Sequence, residues 1–574
     1  MSRPTITSER IDDLPLLVCW LQRMHINTII DAVLGPPHGN WQGLSYGQVA
    51  LVFIAYILTE CNHFLSPVQD WVKDRHLCLS RALGCPVRDT DFTDDRLEIM
   101  LDHLGESDEI GAEIEAQMGQ HLIRAYKLPT DTARIDTTSV SVYHQPKKKK
   151  TLLRFGWSKD KRPGQRQFVE LLGTLDPAGI PLCSQTVGGQ CADDPLYLPA
   201  WRRMARVLGR TDFLVVGDCK LASIQNRAMI QAGGGWYLAP LPMTGNTPND
   251  LRRWVFDPPV RPAAIRLPDQ QEDEADLGQG FELPQTRTWT DPQTKRAVKW
   301  DERVLVLQSA KLAASKRKGL ARRLARAEAA LQKLKVKADD DLDSLTEKTQ
   351  TLLKRHKVSP YLDVTWTEQA TEQKRYLKRG RHGPNSPFEM VKTTTWIRTI
   401  IRQEAAIEEF NSLAGWRLYV TNAPTRRLDT VGIVTCYRQQ WQPERGFHRL
   451  KNAAMAVLPL LLRSDERIRG LLLLLVIALR AFTLFDFVAR RSLGQQSEPL
   501  RGLYAGNPKR ATARPTAERL LKALDNLTLY RLADGDDIWY EVTTLSDLQK
   551  RILGLVGVPE SAYADLTNPL LDGT

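Results

Sequence analysis

The sequence predicts a mixed α/β sheet of five strands flanked by helices, preceded by a helical region and split by a long α+β insertion. Three observations predict it. Hydrophobic periodicity is helical from about Ile11 to Tyr126 and turns to strand-like alternation after Leu128-Pro129. From Ala133 to Pro240 the elements read β-β-β-α-β-α-β. That plan then lapses from Leu241 to Thr430, and apolar helical segments follow.

The first region, 1–130, carries Leu14, Leu17 and Leu21, then Val49, Val52, Ile54 and Ile57, then Leu97, Met100, Leu101 and Leu104. Breaks at Gly35-Pro36-Pro37 and Gly84-Cys85-Pro86 divide it into several helices. No compact basic helix stands out, so a packing module and a DNA-gripping domain are both open.

In 131–240, Ala133 to Tyr143 is rich in β-branched residues and places Asp136 on a strand. Lys147, Lys148, Lys149 and Lys150 follow, a run that is either a solvated loop or a phosphate contact. Strands at Phe168 to Asp176 and Ile180 to Val187 complete an antiparallel meander around the turn at Asp176 to Gly179. A helix at Leu196 to Leu208 leads to Phe213-Leu214-Val215-Val216-Gly217-Asp218, a short apolar strand that ends in an acid and reads as buried in a parallel pairing. A helix from Leu221 to Ala232 and a strand at Gly235 to Pro240 follow. Asp136 and Asp218 meet if their strands are neighbours.

The insertion, 241–432, holds an acidic patch at Glu272 to Asp276 and short strands near Trp289, Trp300 and Val304 to Leu307. Lys311 to Lys335 carries nine Lys/Arg and one acid. Leu320, Leu324, Ala327, Leu331 and Leu334 form a heptad seam there, so 311–357 reads as a helical hairpin. Its basic face serves either solubility or a DNA backbone. Thr393 to Phe410 adds a strand and a helix, and Trp416 to Thr421 is an alternating strand.

In 433–492, Tyr437, Gln440, Glu444 and Lys451 fall within about 60° of one another if the segment is a single helix. Pro443 argues against that: in a helix interior it would cost about 3 kcal/mol, so the helix kinks or starts there. Val457 to Val488 reads as two apolar helices around Arg463 to Arg469. The apolar run Leu471 to Leu479 is too short to span a bilayer and is expected to be buried, with no membrane partner. The tail, 493–574, is expected to be helical and is a candidate for dimerisation.

Composition bounds the function without naming it. With 79 Lys+Arg against 67 Asp+Glu, the formal charge of +12 permits a polyanionic partner. Eight cysteines without a C-x-x-C pair indicate no zinc site, and no secretory signal opens the chain, so reduced cytoplasmic thiols are expected.

Asp136 on the first strand, Asp218 after the fourth and Glu444 on a late helix match the ribonuclease-H-like plan. With Ile135-Asp136-Thr137-Thr138, Val215-Val216-Gly217-Asp218 and the stretch around Glu444, the chain resembles the DDE transposases of bacterial insertion sequences that carry a large insertion before the glutamate. The family signature is Tyr, two residues, Arg, three residues, Glu, six residues, Lys. Tyr437, Glu444 and Lys451 match it, and Gln440 stands where the family has Arg. Gly156 to Pro163 and Gly179-Ile180-Pro181-Leu182 are also similar to a transposase subgroup.

The resemblance implies that Asp136, Asp218 and Glu444 hold two Mg²⁺ or Mn²⁺ ions for phosphoryl transfer. Transposon ends would be nicked and the 3′-hydroxyl would attack the other strand or target DNA, in a homodimeric synaptic complex on terminal inverted repeats, associated with the bacterial nucleoid. Tyr437, Gln440, Lys451 and Arg438 would meet DNA phosphates. Trp416 stands where relatives receive a flipped base, and Trp441 offers a second stacking surface; a core role competes for Trp416. Each acid also has an ordinary reading: Asp218 as a cap, Asp136 as a strand-edge charge, and Asp176, Asp193 and Asp194 as turn or cap residues. A repressor or scaffold that has lost transposition, motivated by Gln440, and a stand-alone ribonuclease-H-like nuclease are the rival readings.

Overall fold

The computed structural model describes residues 5–143, 152–162, 164–267, 274, 276–337, 340–452, 455–535 and 537–568. Lys147 to Lys150, expected near the acidic site, lie outside the described residues.

The central sheet has nine strands: β1 (Thr132–Val142), β2 (Arg166–Leu175), β3 (Ile180–Gly188), β4 (Leu214–Val216), β5 (Trp236–Pro240), β6 (Ala263–Ile265), β7 (Gly278–Thr290), β8 (Ala297–Ser309) and β9 (Trp416–Thr421). Their spatial order is β3-β2-β1-β4-β5-β9-β8-β7-β6. β1, β2 and β3 form the antiparallel meander, while β4 and β5 run parallel to β1. Five strands were expected. The insertion supplies the other four because β9 pairs with β5 and hands the sheet on to β8, so the edge of β5 is covered rather than left as an open template.

Helices Tyr197–Leu208 and Ile224–Ala232 lie on one face, where Ala133, Ile135, Val215, Tyr237 and Trp416 share a core with Trp201 and Phe213. On the other face Val216, Leu238 and Leu305 pack with Ile433 of helix Thr430–Arg438. Alternation along each strand deals its side chains between these two cores.

Helices Ala310–Gln332 and Leu342–His356 form the expected hairpin, closed by Leu320, Leu324, Ala327, Leu331 and Leu353. Strands Leu362–Tyr376 and Phe388–Arg402 pair with each other to make a separate two-stranded ribbon.

Two expectations fail at the C-terminal side. Val457 to Val488 is not two helices: one helix runs Asp465–Gln496, with Ser464 capping it by accepting from the Arg467 amide. It is long and apolar enough to cross a membrane by composition, but it is almost wholly buried in protein, against helix Asp94–Leu104 and β3. Gly470 permits the close crossing, since a Cβ there would sit 2.2 Å from the Leu101 carbonyl oxygen. Nor is the tail wholly helical. Strands Thr528–Asp534 and Asp537–Val542 form a three-stranded antiparallel sheet with Thr5–Arg10, and the N-terminal helices, helix Asp465–Gln496 and the tail share one core.

Candidate active site

β1 pairs with β4 in parallel, Arg134 beside Val216. Continuing that register by two residues sets Asp136 level with Asp218, at the end where β4 stops and the chain turns toward its helix. Asp218 is held in place by the Tyr197 hydroxyl, which donates to it at 2.6 Å, and by the Lys220 amide at 2.9 Å. It therefore does form a local turn, and the buried tyrosine fixes the carboxylate besides. Asp136 accepts from the Thr137 amide at 2.8 Å. Burial pushes its carboxyl up to about 6; Thr137 and Lys159 pull it down, and Asp218 and Glu444 push it further up. Asp136 thus feels acids from two distant stretches of the chain.

The signature stretch is two helices. Thr430–Arg438 carries Tyr437, and Trp441–Lys451 carries Glu444 and Lys451, with the break at Gln439-Gln440. The single-face arc therefore does not form. Pro443 is the third helical residue, where its missing N–H has no intrahelical partner to lose, so the helix starts two residues earlier than the proline alone suggested. Glu444 lies exposed in the first turn. The helix is clamped from behind: Arg449 donates to Asp486 and Glu518 at 2.9 Å each, and Arg445 to Asp486 at 3.0 Å. At its far end the Lys451 ammonium reaches the Ser139 carbonyl oxygen at 2.6 Å and Asp160 at 2.9 Å, which pins the helix across β1 beyond Asp136.

Gln440 explains itself through a residue that sequence reading passed over. Arg134, fully buried and two residues before Asp136, donates bidentately to Asp176 at 2.7 Å, to the Cys436 carbonyl oxygen at 2.9 Å and to the Gln440 side-chain oxygen at 3.3 Å. A guanidinium already occupies the neighbourhood of position 440. Asp176 opens the expected turn and is also the counter-charge of that buried arginine. An arginine two residues before the acid, the only cation on its strand, was the available signal.

Lys159 was also missed as an individual residue. Its ammonium contacts the Thr137 carbonyl oxygen at 2.8 Å and Asp193 at 2.9 Å. Asp193 and Asp194 were expected as caps; neither caps a helix with its side chain, and they pair with Lys159 and Lys220 instead. Gly156 lets this basic loop lie against Gly189, whose carbonyl oxygen would sit 1.7 Å from a Cβ there.

Tyr437 stands edge-on to Tyr419 with centroids 4.9 Å apart, and burial raises its phenol, with Tyr419 and Asp218 adding to the rise. Arg438 is exposed, and both residues line a cavity of about 370 Å³ with Arg417 and Tyr419. Trp441 is 51% exposed. Trp416 is not at the site: it is 6% exposed and packs edge-on against Phe281 in the core on the opposite face of the sheet. The alternation of β9 sends Arg417 and Tyr419 toward Tyr437 and Trp416 away from it.

Asp136, Asp218 and Glu444 are oxygen donors of the kind a hard divalent cation takes. In the conformation described, no three His, Cys, Asp or Glu side chains among the described residues stand at ligand spacing for one ion.

The mixed sheet carries Asp136 within β1 and Asp218 just beyond the end of β4. The family model described as the transposase DDE domain matches residues 129–480, more than half of the chain, and the chain belongs to that family. No curated protein matches the sequence. Among solved structures, a piggyBac transposase synaptic complex with hairpin DNA is similar at 9% identity, with 91% of this chain and 82% of that chain covered and a TM-score of 0.34.

Proposed function

We propose that this chain is a cut-and-paste DNA transposase of a bacterial insertion sequence, in which Asp136, Asp218 and Glu444 hold two divalent ions for nicking and strand transfer. The observation that supports this is that Asp136, on β1, is pushed up by both Asp218, after β4, and Glu444, on a helix beyond the insertion, with Asp218 level with it in the continued β1–β4 register. The order β3-β2-β1-β4-β5 supports a ribonuclease-H-like reading of the core.

Bound metal would supply a water or hydroxyl nucleophile at neutral pH and stabilise the leaving oxygen. The chain's own residues do the positioning. Tyr197 holds Asp218, Lys451 and the arginines behind it hold the helix of Glu444, and Arg438 with Trp441 faces the solvent side where a duplex would lie. The division we infer is 131–240 and 433–492 as catalytic core, 241–432 as insertion, 1–130 as a DNA-gripping or packing region, and 493–574 as a contributor to a homodimer on paired transposon ends.

The test is metal-dependent cleavage of a duplex bearing the inverted repeats that flank the gene. Wild type should cut and Asp136→Ala should not; equal cutting by both sinks the assignment.

A further inference from the structure

The two-stranded ribbon of the insertion is held at one end only. Its inner part is anchored: Leu362 is in the core of the helical hairpin, the Trp366 indole donates to Thr349 at 3.1 Å, and the Trp396 indole donates to the Asp340 carbonyl oxygen at 3.1 Å. Up to Trp366 the strand alternates between inward and outward side chains; beyond it nearly every residue is exposed on both faces. Ten residues separate Trp366 from Tyr376, so the free part projects about 30 Å.

The free end is ordered and basic. Tyr376 stacks on His382 with centroids 4.1 Å apart and an interplanar angle of 4°, and stands edge-on to Phe388 across the strand pair. The Leu377 amide donates to the Pro387 carbonyl oxygen at 3.1 Å, closing the tip. Between Gln373 and Val391 there are five cations, Lys374, Arg375, Lys378, Arg379 and Arg381, against one acid, Glu389, which pairs with Arg375 at 3.6 Å. Helix Ala310–Gln332 at the base exposes further cations at Lys316, Lys318, Arg322 and Arg326.

A long unpartnered ribbon with apolar side chains on view is an aggregation hazard unless its charge repels its own kind or another surface covers it. Here the charge selects the cover. A two-stranded β-ribbon is of a size to enter the major groove, about 30 Å is close to one turn of duplex, and the cations at its tip match the flanking phosphates.

We propose that the ribbon Leu362–Arg402 is a DNA-binding arm whose free part beyond Trp366 lies in a groove of duplex DNA, with its cationic end, Gln373 to Val391, against the phosphates. This rests on the reading of the chain as a transposase acting on duplex DNA. Its cations contact phosphates, while the Tyr376, His382 and Phe388 stack keeps the tip rigid so that little order is lost on binding.

The experiment compares wild type with the fivefold variant Lys374→Gln, Arg375→Gln, Lys378→Gln, Arg379→Gln and Arg381→Gln, which leaves the stack and the anchored half untouched. Binding to a fluorescent duplex carrying the flanking repeats, and to a scrambled duplex of equal length, is measured without divalent metal over a range of salt. The variant should keep the thermal midpoint of wild type. It should bind both duplexes at least about 10-fold more weakly, lower the slope of log affinity against log salt by about 2 or more, and lose hydroxyl-radical protection over about one turn of the duplex. Cleavage at saturating protein should persist, since the carboxylates are unchanged. Equal affinity and slope for variant and wild type would overturn the arm, as would a variant that binds DNA normally but no longer self-associates, which would make a second copy the occupant. If the variant behaves as expected while Asp136→Ala cuts as well as wild type, the arm stands and the catalytic reading falls.

Discussion

Asp136 on β1 and Asp176 in the turn just after β2 are both half-buried and both pushed up by burial, and they have different partners. Asp176 receives the bidentate guanidinium of Arg134, which pulls it back down. Asp136, on the same strand as that arginine and only two residues on, receives no guanidinium; the Lys159 ammonium lowers it, and Asp218 and Glu444 raise it. Burial alone therefore does not mark a functional carboxylate. The difference lies in the neighbours: Asp136 has two acids that raise it against the single ammonium of Lys159 that lowers it, whereas Asp176 has only its guanidinium.

The largest effect should come from neutralising one of those three acids. Asp136→Asn or Glu444→Gln is expected to lower cleavage at least about 10³-fold, some 4 kcal/mol of barrier, with no loss of thermal midpoint. A single-turnover assay alongside a melting curve reads both. Asp176→Asn should do the reverse: leaving Arg134 buried without its partner costs about 3 kcal/mol of stability, measured by urea unfolding, while the folded fraction still cuts. If Asp176→Asn instead abolished cleavage at full stability, the contrast between the two acids would collapse.

Gln440→Arg sharpens the same contrast. It places a second guanidinium beside Arg134 with Asp176 as the shared counter-charge, so a destabilisation of about 2 kcal/mol and no gain in cleavage are expected. The double variant Arg134→Gln with Gln440→Arg should recover part of that loss, and a double-mutant cycle measures the coupling. A large gain in cleavage from Gln440→Arg alone would show that the site lacks its phosphate-gripping cation.

The smallest effect concerns an acid outside both groups. Glu170 is fully buried, accepts from Thr186 at 2.6 Å, and is pushed up to about 8, chiefly by burial. Its folded value lies above that of the unfolded chain, so its contribution is complete below about pH 4.5 and is lost as pH rises through about 8. Glu170→Gln should raise stability by about 1 kcal/mol at pH 8, with the gain shrinking toward pH 5, read from melting curves across that range.

Much of the core was legible because its signals are local. Alternation around Asp136, the apolar run before Asp218 and the turn at Asp176 placed β1 to β5 within a residue or two. What remained hidden depends on contacts distant in sequence. That β9 would lie against β5, enlarging the sheet to nine strands, is a pairing between Val420 and Ala239 that no window spans. The face of Trp416 turned on the same strand: alternation said that it and Tyr419 point opposite ways, and only the packing of Phe281 decided which way was inward. Arg134 was overlooked because a cation on a buried strand finds its partners at Asp176 and Gln440, one on the next strand and one beyond the insertion.

The small sheet that joins Thr5–Arg10 to Thr528–Asp534 has a consequence in time. Thr5 pairs with Ala533, so the N-terminal strand has no partner until a segment far along the chain has been made. Until then its edge is open and the N-terminal helices lack helix Asp465–Gln496, which fills their shared core. The body of the protein is thus a clasp that closes only after synthesis has passed Glu444, and a chain that stops short of that point is left with the strand Thr5–Arg10 unfastened.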